Sequence, residues 1–184
     1  MKIVASLFFL IFCLSGCSSA LRPVVLSPQY QGGFYHAIPK TLQLSVIDHR
    51  VSKFSIKVVD QEPQIYLPHA ELPTLVERAL TDALEAQKAR VVVSANTRMT
   101  LLIKSLNARV SESLTQHTSN AVAEFELQIS DGRRQFNKTF SGKAELTGPL
   151  LHEQSKVENQ LNNLIIQIIT RMISDKEVIA FLEE

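Results

Sequence analysis

Leu42, Leu44 and Val46 alternate with Gln43 and Ser45, and Phe54, Ile56 and Val58 resume the alternation beyond a polar stretch holding Asp48, His49, Arg50 and Ser52. A period of two is that of a half-buried strand, so the two runs predict a hairpin or a bulged pair. Leu72, Leu75, Val76, Ala79, Leu80, Ala83 and Leu84 then recur at three- and four-residue spacing, the pattern of an amphipathic helix lying on a sheet. Pro68 precedes that helix, and Pro73 falls in its first turn, where a missing N–H is tolerated. Residues 91–93 predict a short strand, 94–97 a turn and 99–110 a longer strand.

The clearest alternation follows, with Ala121, Ala123, Phe125, Leu127 and Ile129 on one face and Phe136, Phe140, Ala144 and Leu146 beyond Asp131-Gly132. With Asp131 and Gly132 as the central residues of a type I′ turn, Ser130 is expected opposite Arg133, Leu127 opposite Phe136 and Ala123 opposite Phe140. Gly148-Pro149 closes the second strand. Val157, Leu161, Leu164, Ile165, Ile168, Ile169, Met172 and Ile173 define a long C-terminal helix. Ser174-Asp175-Lys176-Glu177 has the form of a capping box ahead of a short helix carrying Val178, Ile179, Phe181 and Leu182. The order predicts a single α+β domain, residues 40–184, with two main helices packed on a mostly antiparallel sheet.

The N-terminus reads differently. After Lys2, residues 3–14 form an uncharged, mainly apolar run that as a helix would cover roughly 18 Å, well short of the ~30 Å of a hydrocarbon core. This is the h-region of a signal peptide, residues 1–16, which is removed. The run ends in Leu14-Ser15-Gly16-Cys17, which resembles the lipobox of bacterial lipoproteins. Small residues at Ser15 and Gly16 admit a protease to the backbone, and the Cys17 thiol is the nucleophile that can become a thioether. The resemblance implies a diacylglyceryl group on Cys17, cleavage after Gly16 and acylation of the new amine. Ser18 stands at the sorting position, where the lipoprotein rule implies the outer membrane. Residues 17–39, with Pro23, Pro28, Pro39 and Gly32-Gly33, are expected to be a lipidated tether whose apolar cluster, Val24-Val25-Leu26, either stays free or pairs as an edge strand.

Composition then removes several classes of function. The chain's 184 residues carry 19 Lys+Arg against 18 Asp+Glu, so no basic excess points to nucleic acid. Of its two cysteines, Cys13 leaves with the signal and Cys17 is acylated, leaving the domain without disulfide or thiol ligand. His36, His49, His69, His117 and His152 form no pair at metal-binding spacing, and His69-x-Glu71 is the nearest approach. Neither a G-x-S-x-G elbow nor a phosphate-cradling loop is present. No catalytic residue, metal or cofactor is assigned, and the chain is not expected to be an enzyme.

Asp48 and Arg50 read as a strand-end ion pair of small energy, and Arg133, Arg134, Lys138 and Lys143 as solubilising residues of the last hairpin. The apolar groups of the C-terminal helix spread over about half its circumference, with Ile166 opposite Val157. Either the short terminal helix covers that side or a second protein does, which makes Ile166 and Ile173 a candidate partner interface.

Taken together, the chain resembles the YajG-like family of bacterial lipoproteins, a group of unassigned activity. The resemblance is carried by Leu14 to Cys17, Val24-Val25-Leu26-Ser27-Pro28, Val46 to Arg50 with its Asp48-x-Arg50, Leu75 to Leu84, the Asp131-Gly132 hairpin and Ile179-x-Phe181. It implies an outer-membrane lipoprotein facing the periplasm and supplies no catalytic residue. The expected role is a non-catalytic accessory or docking component of the envelope, bound to the membrane through Cys17 and to an envelope protein. The alternative is a binding module for an apolar or amphipathic ligand, a lipid or an envelope glycan.

Overall fold

The computed structural model describes residues 22–60 and 63–183. Among these residues seven strands form one sheet: β1 (Thr41–Asp48), β2 (Ile56–Val58), β3 (Gln64–Tyr66), β4 (Arg90–Val91), β5 (Thr97–Glu112), β6 (Gln116–Ser130) and β7 (Gln135–Pro149). Three helices among the described residues accompany them: α1 (Leu72–Ala86), α2 (Gln154–Ile173) and α3 (Lys176–Glu183). The α+β prediction holds, but the sheet is mixed rather than mostly antiparallel.

Long β5 explains the difference. One of its edges pairs with β6 in antiparallel fashion along nearly its whole length. Its other edge is shared: β1 runs parallel to residues 97–103 and β2 runs parallel to residues 108–110. The two runs predicted as a hairpin therefore never pair with each other. They lie end to end on one edge, with β4 beyond β1 and β3 beyond β2.

A bulge on β5 keeps its apolar face pointed inward. Met99, Leu101 and Ile103 are buried, and beyond a register shift between Ile103 and Ser105 the buried residues become Leu106, Ala108 and Val110. One extra residue reverses the alternation, so odd positions before it and even positions after it face the same helices. Against them lie Ala121, Ala123, Phe125, Leu127 and Ile129 of β6, the apolar side of α1 and that of α2.

The β6–β7 turn also departs from expectation. Four residues, 131–134, make the loop; Ser130 pairs with Gln135, Leu127 with Lys138 and Ala123 with Gly142. Asp131 sets this geometry, because its Oδ1 accepts the N–H groups of Arg133 (3.0 Å) and Arg134 (2.8 Å). A shift of two leaves every side chain on its predicted face, so Phe125 meets Phe140 and Ile129 meets Phe136.

The segment read as a tether belongs to the domain over its described part. Val24, Leu26 and Ile38 are buried in the core. The Val24 N–H donates to the Leu67 carbonyl (2.8 Å), and the His69 N–H donates to that of Val24 (2.7 Å). Gln87, fully buried at the end of α1, accepts the Tyr35 N–H at 2.6 Å and donates to the Gly33 carbonyl at 3.1 Å. Apolar anchors at 24, 26 and 38 outweigh the Pro/Gly content between them.

Candidate functional site

Leu14, Ser15, Gly16, Cys17 and Ser18 lie outside the described residues, so the site is sought in the domain. Its polar side chains gather at several places.

Arg50 occupies the gap between β1 and β2, its side chain only 2% exposed. Its Nε and Nη2 donate to the two carboxylate oxygens of Asp48 at 3.0 and 3.1 Å, and Nη1 donates to the carbonyl oxygens of Leu106 (3.1 Å) and Phe54 (3.4 Å). This corrects the expectation of a weak surface pair: the guanidinium is a buried plug with its fork satisfied. Burial pushes the Asp48 carboxyl up, but hydrogen bonds from Arg50 and Lys53 outweigh it and hold the group at about 2.

A second cluster lies where β5 and β7 end and β6 begins. Glu112 Oε1 accepts both the backbone N–H (2.9 Å) and Nδ1–H (2.6 Å) of His152, whose ring meets that of Tyr66 edge-on at 6.2 Å. Burial pushes the Glu112 carboxyl up, and the bonds from His152 overcome it and hold the group below the usual carboxylate range. The neighbouring Asp60 Oδ2 accepts the Glu112 N–H at 2.7 Å. Together with Val58, Gln64, Leu114, Leu150 and Leu151, these carboxylates line a cleft of about 620 Å³.

Inside the core, Ser119 donates to Gln160 Oε1 at 2.7 Å, and Gln160 Nε2 donates to the carbonyls of Ser119 and Ala144. Glu158, also buried, accepts the Val25 N–H at 2.9 Å and ties the N-terminal segment to α2. Sequence reasoning passed over these residues. Their signal was positional: Ser119 falls on the inward face of β6, and Glu158 and Gln160 flank the apolar stripe of Val157 and Leu161.

The last hairpin holds α3. Lys138 donates to Asp175 and Glu177, each at 2.8 Å, and Arg134 pairs with Asp131 at 2.7 Å while stacking over Phe181 at 4.6 Å. Those two residues thus latch a helix instead of merely solubilising an edge, whereas Arg133 and Lys143 are exposed. The cap differs from the predicted one: Asp175 Oδ1 accepts the N–H groups of Glu177 and Val178, and Ser174 turns back to donate to the Thr170 carbonyl. Glu177 is taken by Lys138, which leaves the capping box unformed.

The candidate interface of Ile166 and Ile173 does not form as one exposed patch. Ile173 is buried, and Ile166 is half-buried and packed against the core. With α1 alongside α2 and α3 folded back on it, the broad apolar face is used within the domain. Glu71 precedes α1 without a side-chain capping bond. Among the described residues no group of His, Cys, Asp and Glu is placed to hold a metal, and no helix is long and apolar enough to cross a membrane.

A family model described as an uncharacterized lipoprotein matches residues 36–183. No curated protein matches the chain. Among solved structures, a protein from Xanthomonas campestris is similar at a TM-score of 0.58 with 14% identity, over 86% of this chain and 98% of that one. A minor lipoprotein from Acinetobacter baumannii has a TM-score of 0.44 with 14% identity, over 79% of this chain and 94% of that one. Rare lipoprotein B from Shewanella oneidensis has a TM-score of 0.44 with 16% identity, over 77% and 99% respectively. The first of these similarities is one of fold.

Proposed function

Because the chain belongs to a family of uncharacterized lipoproteins, we propose that it is a non-catalytic accessory component of the cell envelope, anchored through Cys17 and docking another envelope protein. The signal peptide ends at Gly16, Cys17 carries the lipid, and Ser18 directs the protein to the periplasmic face of the outer membrane. Two or three acyl chains, at ~0.8 kcal/mol per buried CH₂, hold far more firmly than one.

The observation that carries the docking role is the outer edge of β7. Residues Gln135–Pro149 pair with β6 on one side, and no strand pairs their other side among the described residues. A long strand with an unpaired edge is a template for a partner's backbone. Asn137, Thr139 and Lys143 are exposed along it. The buried polar groups support the same reading, since Arg50, Gln87, Ser119 and Gln160 are each spent on hydrogen bonds within the chain.

Photo-crosslinking from Asn137, Lys143 and, on α2, Asn159 in intact cells tests the role. A recurrent envelope protein captured from β7 is expected; adducts confined to lipid or glycan would overturn docking in favour of ligand binding. Cys17→Ala should abolish acylation and release the protein from outer-membrane fractions. An unchanged distribution would overturn the anchor.

A further inference from the structure

We propose that the end of the domain bearing Leu114, Leu150 and Leu151 rests on the same bilayer that holds the anchor, which fixes the orientation of the domain on its membrane. The inference rests on the reading that Cys17 carries lipid.

Its first support is where the described residues begin. Gln154 Nε2, in the first residue of α2, donates to the carbonyls of Arg22 (3.2 Å) and Pro23 (3.3 Å), and the Arg22 guanidinium lies 3.8 Å from Glu158. Arg22 is therefore fastened at the N-terminal end of α2. Cys17 is five residues earlier, and at roughly 3.3–3.6 Å per residue its Cα is at most about 18 Å away. A domain tied this closely cannot stand clear of the bilayer.

The second support is what that end presents. Leu150 and Leu151 lie four and three residues before the start of α2 and are 64% and 69% exposed, and Leu114, in the β5–β6 turn, is 88% exposed. The Leu150 N–H donates to the Thr115 carbonyl at 3.0 Å, so the turn and the segment entering α2 form one rim. That rim is built rather than slack. Leu150 has a left-handed backbone, φ 57°, which disfavours a branched side chain, and it is held there by the Thr115 bond and by His117 Nδ1–H donating to its carbonyl at 3.0 Å.

The occupant follows from the anchor and the charges together. Leucines clustered at the point of tethering meet lipid before any other apolar phase, and interfacial burial removes their surface from water. Of the nearby carboxylates, Glu112 is engaged by His152 and Asp60 by the Glu112 N–H. A zwitterionic surface, rather than an anionic one, suits this rim.

The test uses the acylated mature chain in vesicles of phosphatidylethanolamine and phosphatidylcholine, with a polarity-sensitive dye attached at Leu114→Cys, Leu151→Cys or Val93→Cys. Val93, 93% exposed near the opposite end, is the control. Each variant offers a single free thiol, because Cys13 leaves with the signal and Cys17 becomes a thioether. Dyes at 114 and 151 should emit at shorter wavelength than at 93 and be quenched several-fold more by brominated acyl chains. Emission at 114 and 151 matching that at 93 overturns the proposal. So does shielding without bromolipid quenching, which would place a second copy or another protein on the rim. The mass of the Cys17 peptide from the same vesicles separates the two readings: if no acyl group is present, anchor and docking both fall, whereas an acylated chain with water-like dyes removes docking alone.

Discussion

Arg50 Nη1 donates to the carbonyl of Leu106 at 3.1 Å, on the stretch of β5 that lies between the part covered by β1 and the part covered by β2. A side chain there completes a sheet edge that no strand completes. The same guanidinium grips Asp48 through two nitrogens, so one residue ends β1, positions the chain for β2 and satisfies the β5 backbone.

Arg50→Met should therefore destabilise the domain by about 3 kcal/mol or more, because it strips a partner from a buried pair and leaves a buried carbonyl unpaired. Arg50→Lys should recover only part of this, since an ammonium cannot make the bidentate bond. Urea unfolding midpoints of the three proteins check the order.

Acid should act through the same pair. The Asp48 carboxyl is lowered from 3.8 to about 2 in the folded state, so its stabilisation is fully present above the unfolded value and is lost as pH falls from about 4 to about 2. Asp48→Asn should be less stable at neutral pH and show a shallower decline across that window. Glu112 and Asp175, also held low, will keep part of the slope. Stability against pH for the two proteins measures it.

At the end of β7, a methyl on Gly148 would lie 2.5 Å from the His117 ring, which is itself held by Leu150. Gly148→Ala should cost about 1–3 kcal/mol and loosen residues 148–152, whereas Gly132→Ala meets no atom within 4 Å and is opposed only by its positive φ. Amide hydrogen exchange at Leu150 should rise in the first variant and not in the second.

Removing the Asp175 carboxylate takes away both the cap of α3 and the Lys138 contact. Asp175→Ala should cost about 1 kcal/mol and expose the amides around Val178 and Leu182 to exchange. Ser174→Ala should be close to neutral, since that hydroxyl only returns to the carbonyls of Thr170 and Arg171 in the last turn of α2. Equal effects of the two substitutions would contradict this assignment of the cap.

Legibility divided along a physical line. The apolar stripes of α1 and α2, and the inward faces of β6 and β7, were readable because a helix or strand period decides which side is apolar whatever it packs against; the inward face of β5 was not, because the bulge between Ile103 and Ser105 reverses its alternation. The lipobox resemblance was equally a property of neighbours in the chain. Alternation could not choose the β6–β7 register, because a slip of two residues preserves both faces and only the Asp131 side chain distinguishes the loops.

The polar centres were the least visible part. Glu112 meets His152 at a sequence separation of 40, Ser119 meets Gln160 at 41 and Val25 meets Glu158 at 133. Composition and spacing carry no trace of such pairs, beyond a polar residue standing on an apolar face.

By itself the sequence determined the balance of charge, a matter of composition, and the faces of α1, α2, β6 and β7 and the lipobox resemblance at Cys17, which depend on residues within a turn or two of one another. Only the tertiary structure decided that β1 and β2 share an edge through Arg50, that residues 22–39 pack on the domain, and that the leucine rim precedes the end of α2 to which Arg22 is fastened. Each of these joins segments far apart in the chain, and such contacts form only when desolvation and hydrogen bonding between them outweigh the entropy of closing the loop.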